Sequence, residues 1–463
     1  MEYYVAAAVA ALALIALPAV VVAAYDLYNA FIYIANGGFR DVEDGECRWG
    51  KLTIVTAIYR EPMGLVLDAA RRVNNIASAW RGGLEWLIVS DDEEGYVKEL
   101  DNRLREVLKV KYRIIRRANP TNGKGGALDY ATRFIDGEYV LLMDVDSRID
   151  PSFIIKACRR LKGNTAAVVG RWYGYNYDTP VAKAITSTMV LAVNTIQAGR
   201  RLRGLPALVT GTGTVIRVDA LKAVDGWAGS GPQDDVYIWL KLLSRGFDVD
   251  FIDDAAVGVE NPRTYTVFKF QQVKWAYGIG DALRRGWVYV RPLRPRVKAD
   301  VVLTLLQYPL SSLVFVSILA MGVLSPILRV DLGLPLLPVY AAYGALVAAY
   351  GYLYTRSLHG APYYDAGRAS AIMASIMLML LASFLRGLLG FRPIKWSSTP
   401  KGGLTVLKLA PYETLILAAS LALFALNLTY LNLWASVELL SVIVPLAYVH
   451  VRFGGELLGF KLI

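Results

Sequence analysis

The stretch VLLMDVDSRID, residues 140–150, places two carboxylates directly after a run of four apolar residues. A short apolar run of this kind predicts a buried strand. Asp144 and Asp146 stand two positions apart, so both side chains project to the same side of an extended chain. There they repel each other unless a cation, or a polyphosphate with its metal ion, lies between them. The stretch therefore predicts a buried strand that ends at a metal- and phosphate-binding site.

The segment around this strand, residues 49–262, alternates short apolar runs with longer helix-like stretches. The apolar runs are LTIVTAI (52–58), LEWLIVS (84–90), YRIIRR (112–117), YVLLMDV (139–145), AAVVG (166–170) and FDVDFI (247–252). This alternation predicts an α/β domain with a mostly parallel sheet covered by helices on both faces. Ligands of such sheets bind beyond the carboxyl ends of the strands. Asp91–Asp92 and Asp144–Asp146 both follow the apolar core of a strand, which places them at the expected site.

The chain as a whole has the composition of a membrane protein, with 55% hydrophobic and only 19% charged residues. Uncharged segments long enough to cross a bilayer cover residues 3–24, 301–328 and 332–355, and 414–449 is long enough for a two-span hairpin. We therefore predict about five transmembrane spans. The net charge of +11 fits positive loops on the cytoplasmic side and contact with anionic membrane lipids. We expect no nucleic-acid partner.

The segment 369–390 has an apolar core that could form a further span. If it crossed the membrane, the next segment, RPIKWSSTPKGGLTVLK (392–408), would place its basic residues outside. The positive-inside rule opposes that arrangement. We therefore predict an interfacial helix that lies in the plane of the membrane.

Two patterns fail as nucleotide-binding motifs. ANPTNGKGG (118–126) has alanine at the first glycine of a P-loop and glycine where Ser or Thr is required, and GTGTVI (211–216) lacks the third glycine of a dinucleotide fingerprint. A phosphate-binding role for Lys124 remains possible without the P-loop fold.

The two cysteines, Cys47 and Cys158, lie far apart in the sequence and lack the spacing of metal ligands. We therefore expect neither a metal site nor a disulfide framework from them.

Seven motifs follow one another along the chain: TAIYREP, IVSDD, NGKGGALDYA, VLLMDVDSRID, TGTGTVIR, GPQDDVYIWLKLLSRGFDV and ENPRTYTVFKFQQVKWAYG. In their order and spacing, over about residues 50–410, the chain resembles the membrane-embedded glycosyltransferases of family 2, which include cellulose and hyaluronan synthases. The resemblance implies a cytosolic α/β catalytic domain of the GT-A type joined to an α-helical transmembrane bundle. It also implies a nucleotide-sugar donor, expected to be a UDP-sugar, and Mg²⁺ or Mn²⁺ as cofactor.

The resemblance and the spans together divide the chain into seven parts. These are an N-terminal transmembrane helix (1–40), the catalytic domain (49–262), interfacial helices with the QxxKW motif (263–298), a transmembrane hairpin (299–358), an interfacial helix with a gating-loop-like segment (369–408), a second transmembrane hairpin (409–452) and a cytosolic tail (453–463).

At the nucleotide end, the resemblance implies that Tyr59 stacks on the base and that Glu61 frames it. Asp92 is expected to hydrogen-bond the base or the ribose, and the adjacent Asp91 is the less favoured partner. A plain turn after a strand is the structural alternative for this pair.

At the diphosphate end, the resemblance implies that Lys124 neutralises phosphate charge. Asp144 and Asp146 form the D-x-D pair, and Asp144 also contacts the donor. Hard carboxylate oxygens suit Mg²⁺ or Mn²⁺, which bridges the nucleotide diphosphate and stabilises the leaving group.

GPQDD (231–235) stands where the family carries Thr-Glu-Asp, which places Asp235 at the catalytic base and Asp234 at the glutamate. An inverting transfer needs a carboxylate that accepts the proton of the acceptor hydroxyl. Asp234 next to it is expected to raise the apparent pKa of the pair, which makes a better base. A capped helix start explains the same residues structurally, and both interpretations can hold together.

QQVKW (271–275) differs from the family's Q-x-x-R-W at one place, where Lys274 replaces arginine. Lysine keeps the charge but loses the bidentate fork that clamps a diphosphate. Gln271 and Trp275 match the motif, and Trp275 is expected to line the acceptor end.

KWSSTPKGG (395–403) resembles the gating loop of cellulose-synthase relatives, with Ser398, Thr399 and Lys401 on its pattern. Closure of such a loop over the diphosphate excludes water and completes the site. A basic loop that touches anionic headgroups is the structural alternative.

The sequence therefore predicts a processive inverting glycosyltransferase that elongates a polysaccharide and passes it through its own membrane bundle. An alternative is transfer of a single sugar to a lipid acceptor, such as a polyprenyl phosphate or a glycolipid. A non-catalytic transporter is a third interpretation, but few polar residues interrupt the spans. We expect the protein in the cell membrane, with its catalytic domain and C-terminus cytoplasmic and its N-terminus outside.

Overall fold

The computed structural model describes residues 2–38, 45–356, 363–391, 400–401 and 403–457. Its α/β part is built on an eight-stranded sheet of order β3-β2-β1-β4-β7-β6-β8-β5. The strands are β1 Leu52–Ile58, β2 Leu84–Ser90, β3 Lys111–Arg116, β4 Tyr139–Leu142, β5 Arg148–Ile149, β6 Thr165–Gly174, β7 Thr214–Arg217 and β8 Asp248–Val259.

The first half of the sheet is parallel and the second half is mixed. β1 pairs in parallel with both β2 and β4, and β2 pairs in parallel with β3. β7 then runs antiparallel between β4 and β6, while β6 and β8 pair in parallel again. The predicted α/β fold is confirmed, and β7 makes the sheet mixed. β7 escaped the sequence prediction because it is short and begins inside the glycine- and threonine-rich GTGTVI.

The helices follow in chain order. They are α1 Glu2–Ala35, α2 Met63–Ala79, α3 Glu94–Val107, α4 Gly123–Thr132, α5 Pro151–Arg160, α6 Pro180–Thr188, α7 Ile196–Leu202, α8 Val218–Ala223, α9 Asp234–Ser244, α10 Tyr265–Val290, α11 Pro295–Leu305, α12 Gln307–Leu328, α13 Gly333–Arg356, α14 Tyr363–Leu388, α15 Tyr412–Thr429 and α16 Leu433–Leu457, with a π-helix at Met189–Thr195 between α6 and α7.

The parallel strands are buried on both faces, as their apolar runs predict. Leu52, Ile54, Val140 and Leu141 have no exposed surface. Further along the chain, Asp150 caps the start of α5. Its side chain accepts a hydrogen bond from the Ser152 backbone N–H at 2.9 Å, and proline occupies the first helical position. The chain thus leaves the sheet between β4 and α5 through the D-x-D turn, which fixes the position of that turn.

In the part of the chain that the structure describes, six helices are long and apolar enough to cross a membrane: α1, α12, α13, α14, α15 and α16. The membrane character is confirmed, and the number of candidates exceeds by one the five spans predicted. The additional helix is α14, which the sequence places in the membrane interface. Length and composition alone do not distinguish an interfacial helix from a span.

α14 packs along α10 at a very short distance. A Cβ atom on Gly280 of α10 would come within 2.1 Å of the Phe384 carbonyl oxygen, and one on Gly387 of α14 within 2.1 Å of the Tyr277 carbonyl oxygen. Glycine is required at both positions because the two backbones touch there. The helix that carries QQVKW is thereby fixed to the helix that precedes the gating-loop-like segment.

Cys47 and Cys158 form a disulfide with their Cα atoms 5.1 Å apart. The expectation of no disulfide was wrong. The sequence separation of 111 was misleading, because it says nothing about distance once the segment before β1 runs alongside α5.

Candidate active site

A cavity of about 670 Å³ opens beyond the carboxyl ends of β1 and β4, in the size range of small-molecule sites. It collects most of the residues that the sequence singles out. The predicted residues that line it are Tyr59, Glu61, Lys124, Asp144, Asp146, Asp234, Asp235, Gln271, Lys274, Trp275 and Lys401. Asp92 does not line it, and Ser398 and Thr399 lie outside the described residues.

Asp144 is held by the start of α4. The Lys124 Nζ atom lies 2.6 Å from Asp144 Oδ1 and also donates to the Gly211 carbonyl oxygen at 3.3 Å. The Asp144 backbone N–H donates to Thr212 Oγ1 at 3.0 Å. Burial lowers the pKa of Lys124, but Asp144 and the α9 carboxylates outweigh it and raise that pKa above its ordinary value. Lys124 is therefore a fixed positive charge beside the D-x-D turn.

Asp146 is held by Lys401, which follows α14 in the sequence. The Lys401 Nζ atom lies 3.1 Å from Asp146 Oδ1 and 3.2 Å from Glu61 Oε1. Burial lowers the pKa of Lys401, but Asp146, Glu61 and Asp144 together raise it. Each carboxylate of the D-x-D pair thus has a lysine as its own counter-charge. These positive charges offset the repulsion that is expected between two carboxylates at this spacing.

The two carboxylates suit a divalent cation that arrives with its substrate. No group of three or more His, Cys, Asp or Glu that could hold a metal occurs among the residues described. Mg²⁺ bound with a nucleotide commonly takes only one or two carboxylates, and phosphate oxygens and water complete the shell. Asp144 and Asp146 would supply those hard oxygens, and each of them lies beside a lysine.

Asp234 and Asp235 begin α9 at the cavity wall. Asp235 Oδ1 accepts the Val236 backbone N–H at 2.8 Å, while Oδ2 lies near Gly211, where an added Cβ atom would be 3.5 Å away. Glycine at 211 therefore leaves room for the carboxylate and for Lys124, which comes within 3.2 Å of the same point. One oxygen of Asp235 fixes the side chain and the other faces the cavity.

Asp234 is only 6% exposed, and its Oδ2 atom has no hydrogen-bond partner in the described part of the chain. Burial raises the pKa of Asp234 to about 7; Lys124 opposes the shift, and Asp235 adds to it. Burial also raises the pKa of Asp235. A pair of carboxyl groups with raised pKa values in a cavity is the property that a general base requires near neutral pH.

The nucleotide end of the cavity depends on a strained turn after β1. Tyr59 is 41% exposed, with the Arg60 guanidinium 5.1 Å from the centre of its ring, and Arg60 adopts a positive φ of 55°. Asp92 accepts the Arg60 backbone N–H at 2.7 Å and the Ser90 hydroxyl at 2.9 Å, so both its oxygens are engaged beneath the turn. The geometry gives Asp92 a role in holding Tyr59 in place.

Asp91, the less favoured partner in the sequence, is the aspartate that lines the cavity. It forms two hydrogen bonds of 2.6 Å with Arg117, whose guanidinium also donates to the Thr121 and Gly123 carbonyl oxygens. This pair ties the end of β2 to the start of α4. Arg117 was not predicted as a site residue because it ends the strand-like run YRIIRR (112–117), where it resembles an ordinary strand residue.

The QQVKW segment forms the wall on the membrane side. Lys274 is 6% exposed and lies 5.0 Å from the centre of the Phe270 ring. Burial lowers its pKa to about 8. Gln307 and Tyr308 of α12 line the same wall, and they were not predicted as site residues because they begin an otherwise apolar helix.

The model of glycosyl transferase family group 2 matches residues 139–449, more than half of the chain. The chain belongs to this family. The resemblance to membrane-embedded family 2 glycosyltransferases is thereby confirmed, and the transporter interpretation loses its support.

Two relatives show how similar the sequence of this glycosyltransferase is to those of other proteins. A probable glycosyltransferase of Sulfolobus acidocaldarius is 29% identical over 56% of this chain and 56% of its own length. Glucomannan 4-beta-mannosyltransferase 1 of Oryza sativa is 25% identical over 44% of this chain and 42% of its own length. The chain thus spans about half the length of the curated relatives it matches.

Among solved structures, the mannosyltransferase PcManGT from Pyrobaculum calidifontis, in complex with GDP-Man and Mn²⁺, has a similar fold. The likeness has a TM-score of 0.52 at 15% identity and covers 82% of this chain and 100% of that chain. It supports the GT-A-type fold of the catalytic domain.

Proposed function

We propose that this glycosyltransferase moves a sugar from a nucleotide-sugar donor to an acceptor hydroxyl with inversion at the anomeric carbon. The observation that carries the proposal is the meeting of Lys124, Asp144, Asp146 and Asp235 in one cavity. Together they would supply a lysine that binds phosphate, two carboxylates that bind a metal ion, and a general base.

In the transfer, the acceptor oxygen attacks C1 of the sugar, and the bond between C1 and the β-phosphate oxygen breaks. The Oδ2 atom of Asp235 accepts the proton of the attacking hydroxyl. The electron pair leaves on the nucleoside diphosphate, whose charge Lys124 and Lys401 are placed to neutralise. A divalent cation held by Asp144 and Asp146 would supply further positive charge on the diphosphate.

The relatives bear on the choice of sugar. Several are glucomannan 4-beta-mannosyltransferases, which favours mannose as the transferred sugar. We therefore place a mannosyl nucleotide ahead of the UDP-sugar expected from the sequence.

Membrane topology is supported by the position of Lys401. Three apolar helices, α12, α13 and α14, separate the catalytic domain from Lys401. If all three crossed the membrane, Lys401 would lie on the opposite side from Asp146, yet their side chains are in contact. The contact supports two spans and an interfacial α14. We propose that the catalytic domain and Lys401 face the cytoplasm, where nucleotide sugars occur.

The acceptor decides between the two enzyme functions that the sequence left open. A processive synthase needs a polar path for a sugar chain through the bundle, whereas an enzyme with a lipid-linked acceptor needs an apolar site beside the catalytic cavity. The second cavity, between the membrane helices, is lined mainly by apolar side chains. This favours the lipid-linked acceptor, and processive elongation stays a prediction.

The test is to incubate the purified protein with Mn²⁺ or Mg²⁺, a panel of nucleotide sugars including GDP-mannose and UDP-sugars, and membrane lipids as acceptor source. Release of nucleoside diphosphate from one donor, dependent on Asp235, is the expected result. Product size separates a polymer from a single transfer. No nucleotide release from any donor would contradict the proposed function.

A further inference from the structure

A second cavity of about 490 Å³ lies between α1, α12, α13, α14 and α16. Along α12 it extends from Gln307 to Ile318, a distance of about 16 Å at 1.5 Å per residue. That is about half of the hydrocarbon thickness of a bilayer. The cavity therefore extends from the catalytic side along about half of α12.

This membrane cavity adjoins the catalytic cavity. Gln307 and Tyr308 line both. At this junction Gln307 donates to Asp26 at 2.8 Å, and the Tyr308 hydroxyl donates to Gln272 at 2.8 Å. The junction is polar, while the deeper part of the cavity is lined largely by side chains such as Val314, Ile318, Leu346, Val347, Met373 and Met377.

Some of the polar side chains that line the cavity are hydrogen-bonded, and its acidic residues are Asp26 and Glu438. Besides the two pairs at the junction, Tyr340 hydrogen-bonds to Ser317 at 2.8 Å. None of the described residues that line the cavity is a lysine or arginine. A sugar chain carries several hydroxyls per residue, and a lining whose surface is mainly apolar replaces only part of the hydrogen bonds that they make to water. A hydrocarbon chain requires no such partners.

We propose that the membrane cavity binds the hydrocarbon chain of a lipid-linked acceptor, whose sugar or headgroup passes the junction at Gln307 and Tyr308 to reach Asp235. The inference rests on the proposed glycosyl transfer and names its acceptor class. Phe315 and the methionines of α14 adapt their shape to an apolar chain, as flexible and aromatic side chains do in hydrophobic sites.

Gly344 of α13 provides the test. It lines the membrane cavity, and a Cβ atom added there meets no atom within 4 Å. A large side chain at this position has room to enter the cavity without a clash with the backbone. Ala345, the next residue, is exposed and does not line the cavity, so Ala345→Trp is a matched control.

The experiment compares dodecyl and methyl β-mannosides as acceptors for the wild type, Gly344→Trp and Ala345→Trp, with the nucleotide sugar that the donor panel identifies. We expect Gly344→Trp to raise the KM of the dodecyl acceptor about five- to a hundredfold, the penalty of overpacking a filled cavity. Its activity with the methyl acceptor and the behaviour of Ala345→Trp should match the wild type.

Equal dodecyl KM values for Gly344→Trp and Ala345→Trp would overturn the inference, as would wild-type synthesis of a long polymer from the methyl acceptor with no preference for the dodecyl one. In both cases sugar transfer itself persists, so the proposed function stands. Absence of donor consumption with every acceptor would overturn both the function and the inference.

Discussion

Lys401 reaches back to Asp146, with its Nζ atom 3.1 Å from the carboxylate, although the two residues lie in distant parts of the sequence. The contact closes the catalytic cavity with a residue that follows α14. It gives the gating-loop-like segment a defined partner on the D-x-D turn, and it makes both the role and the location of that segment testable.

Lys401→Ala is expected to raise the KM for the donor and to lower kcat, because the diphosphate loses a cation and the site loses its closure. Lys408→Ala is the matched control, since Lys408 is exposed in the same segment and does not line the cavity. Steady-state kinetics with varied donor check the prediction. Equal effects of the two substitutions would show that charge near the membrane matters and that the contact with Asp146 does not.

The location of the segment is tested by cysteine labelling. Leu404 is 73% exposed and follows Lys401 closely. The protein's own cysteines are joined in a disulfide, so the background is low. In intact cells, Leu404→Cys should resist a membrane-impermeant thiol reagent and should react after the membrane is opened. Rapid labelling from outside would mean that α14 crosses the membrane and that the topology is wrong.

The metal site is tested by Asp144→Asn and Asp146→Asn. Each removes one hard oxygen ligand, so the Mn²⁺ concentration for half-maximal activity should rise about tenfold or more, since even outer partners of metal ligands are worth 10- to 100-fold. Mn²⁺ titrations of activity at saturating donor provide the measurement. Full activity of the wild type after exhaustive chelation would rule out the cation.

Lys274 is tested through its pKa. Burial lowers the pKa to about 8, so the side chain loses its charge as the pH rises through 8. If that charge serves the diphosphate, the donor KM of the wild type should increase above pH 8. Lys274→Arg should keep a low KM to higher pH, because arginine stays protonated. If the donor KM changed with pH in the same way in the two proteins, Lys274 would not contact the donor.

Much of the fold follows from the sequence because the buried strands carry unbroken apolar runs. LTIVTAI and LEWLIVS coincide with β1 and β2. The D-x-D turn could be located because it follows an apolar strand, and the start of α9 because an apolar helix begins there. What escaped prediction depends on contacts between distant segments: the Cys47–Cys158 disulfide, the pairing of Asp91 with Arg117, and the junction at Tyr308.

The catalytic pair also predicts the pH dependence of the reaction. Burial raises the pKa of Asp234 to about 7 and raises that of Asp235 as well. A base with a raised pKa is protonated over a wider acidic range, so kcat/KM should begin to fall, as the pH drops, at a higher pH than it would with an ordinary aspartate as the base. A kcat/KM that stays constant down to pH 5 would contradict the assignment of this pair as the base.

The most direct test is the turnover of Asp235→Asn, with donor binding measured in the same preparation. Asparagine keeps the shape of the side chain but does not accept the hydroxyl proton, so kcat should fall by about a hundred- to ten-thousandfold. Donor affinity should stay near that of the wild type, and Asp234→Asn should be milder. Wild-type turnover by Asp235→Asn, or a larger loss in Asp234→Asn, would contradict the assignment of Asp235 as the base that activates the acceptor.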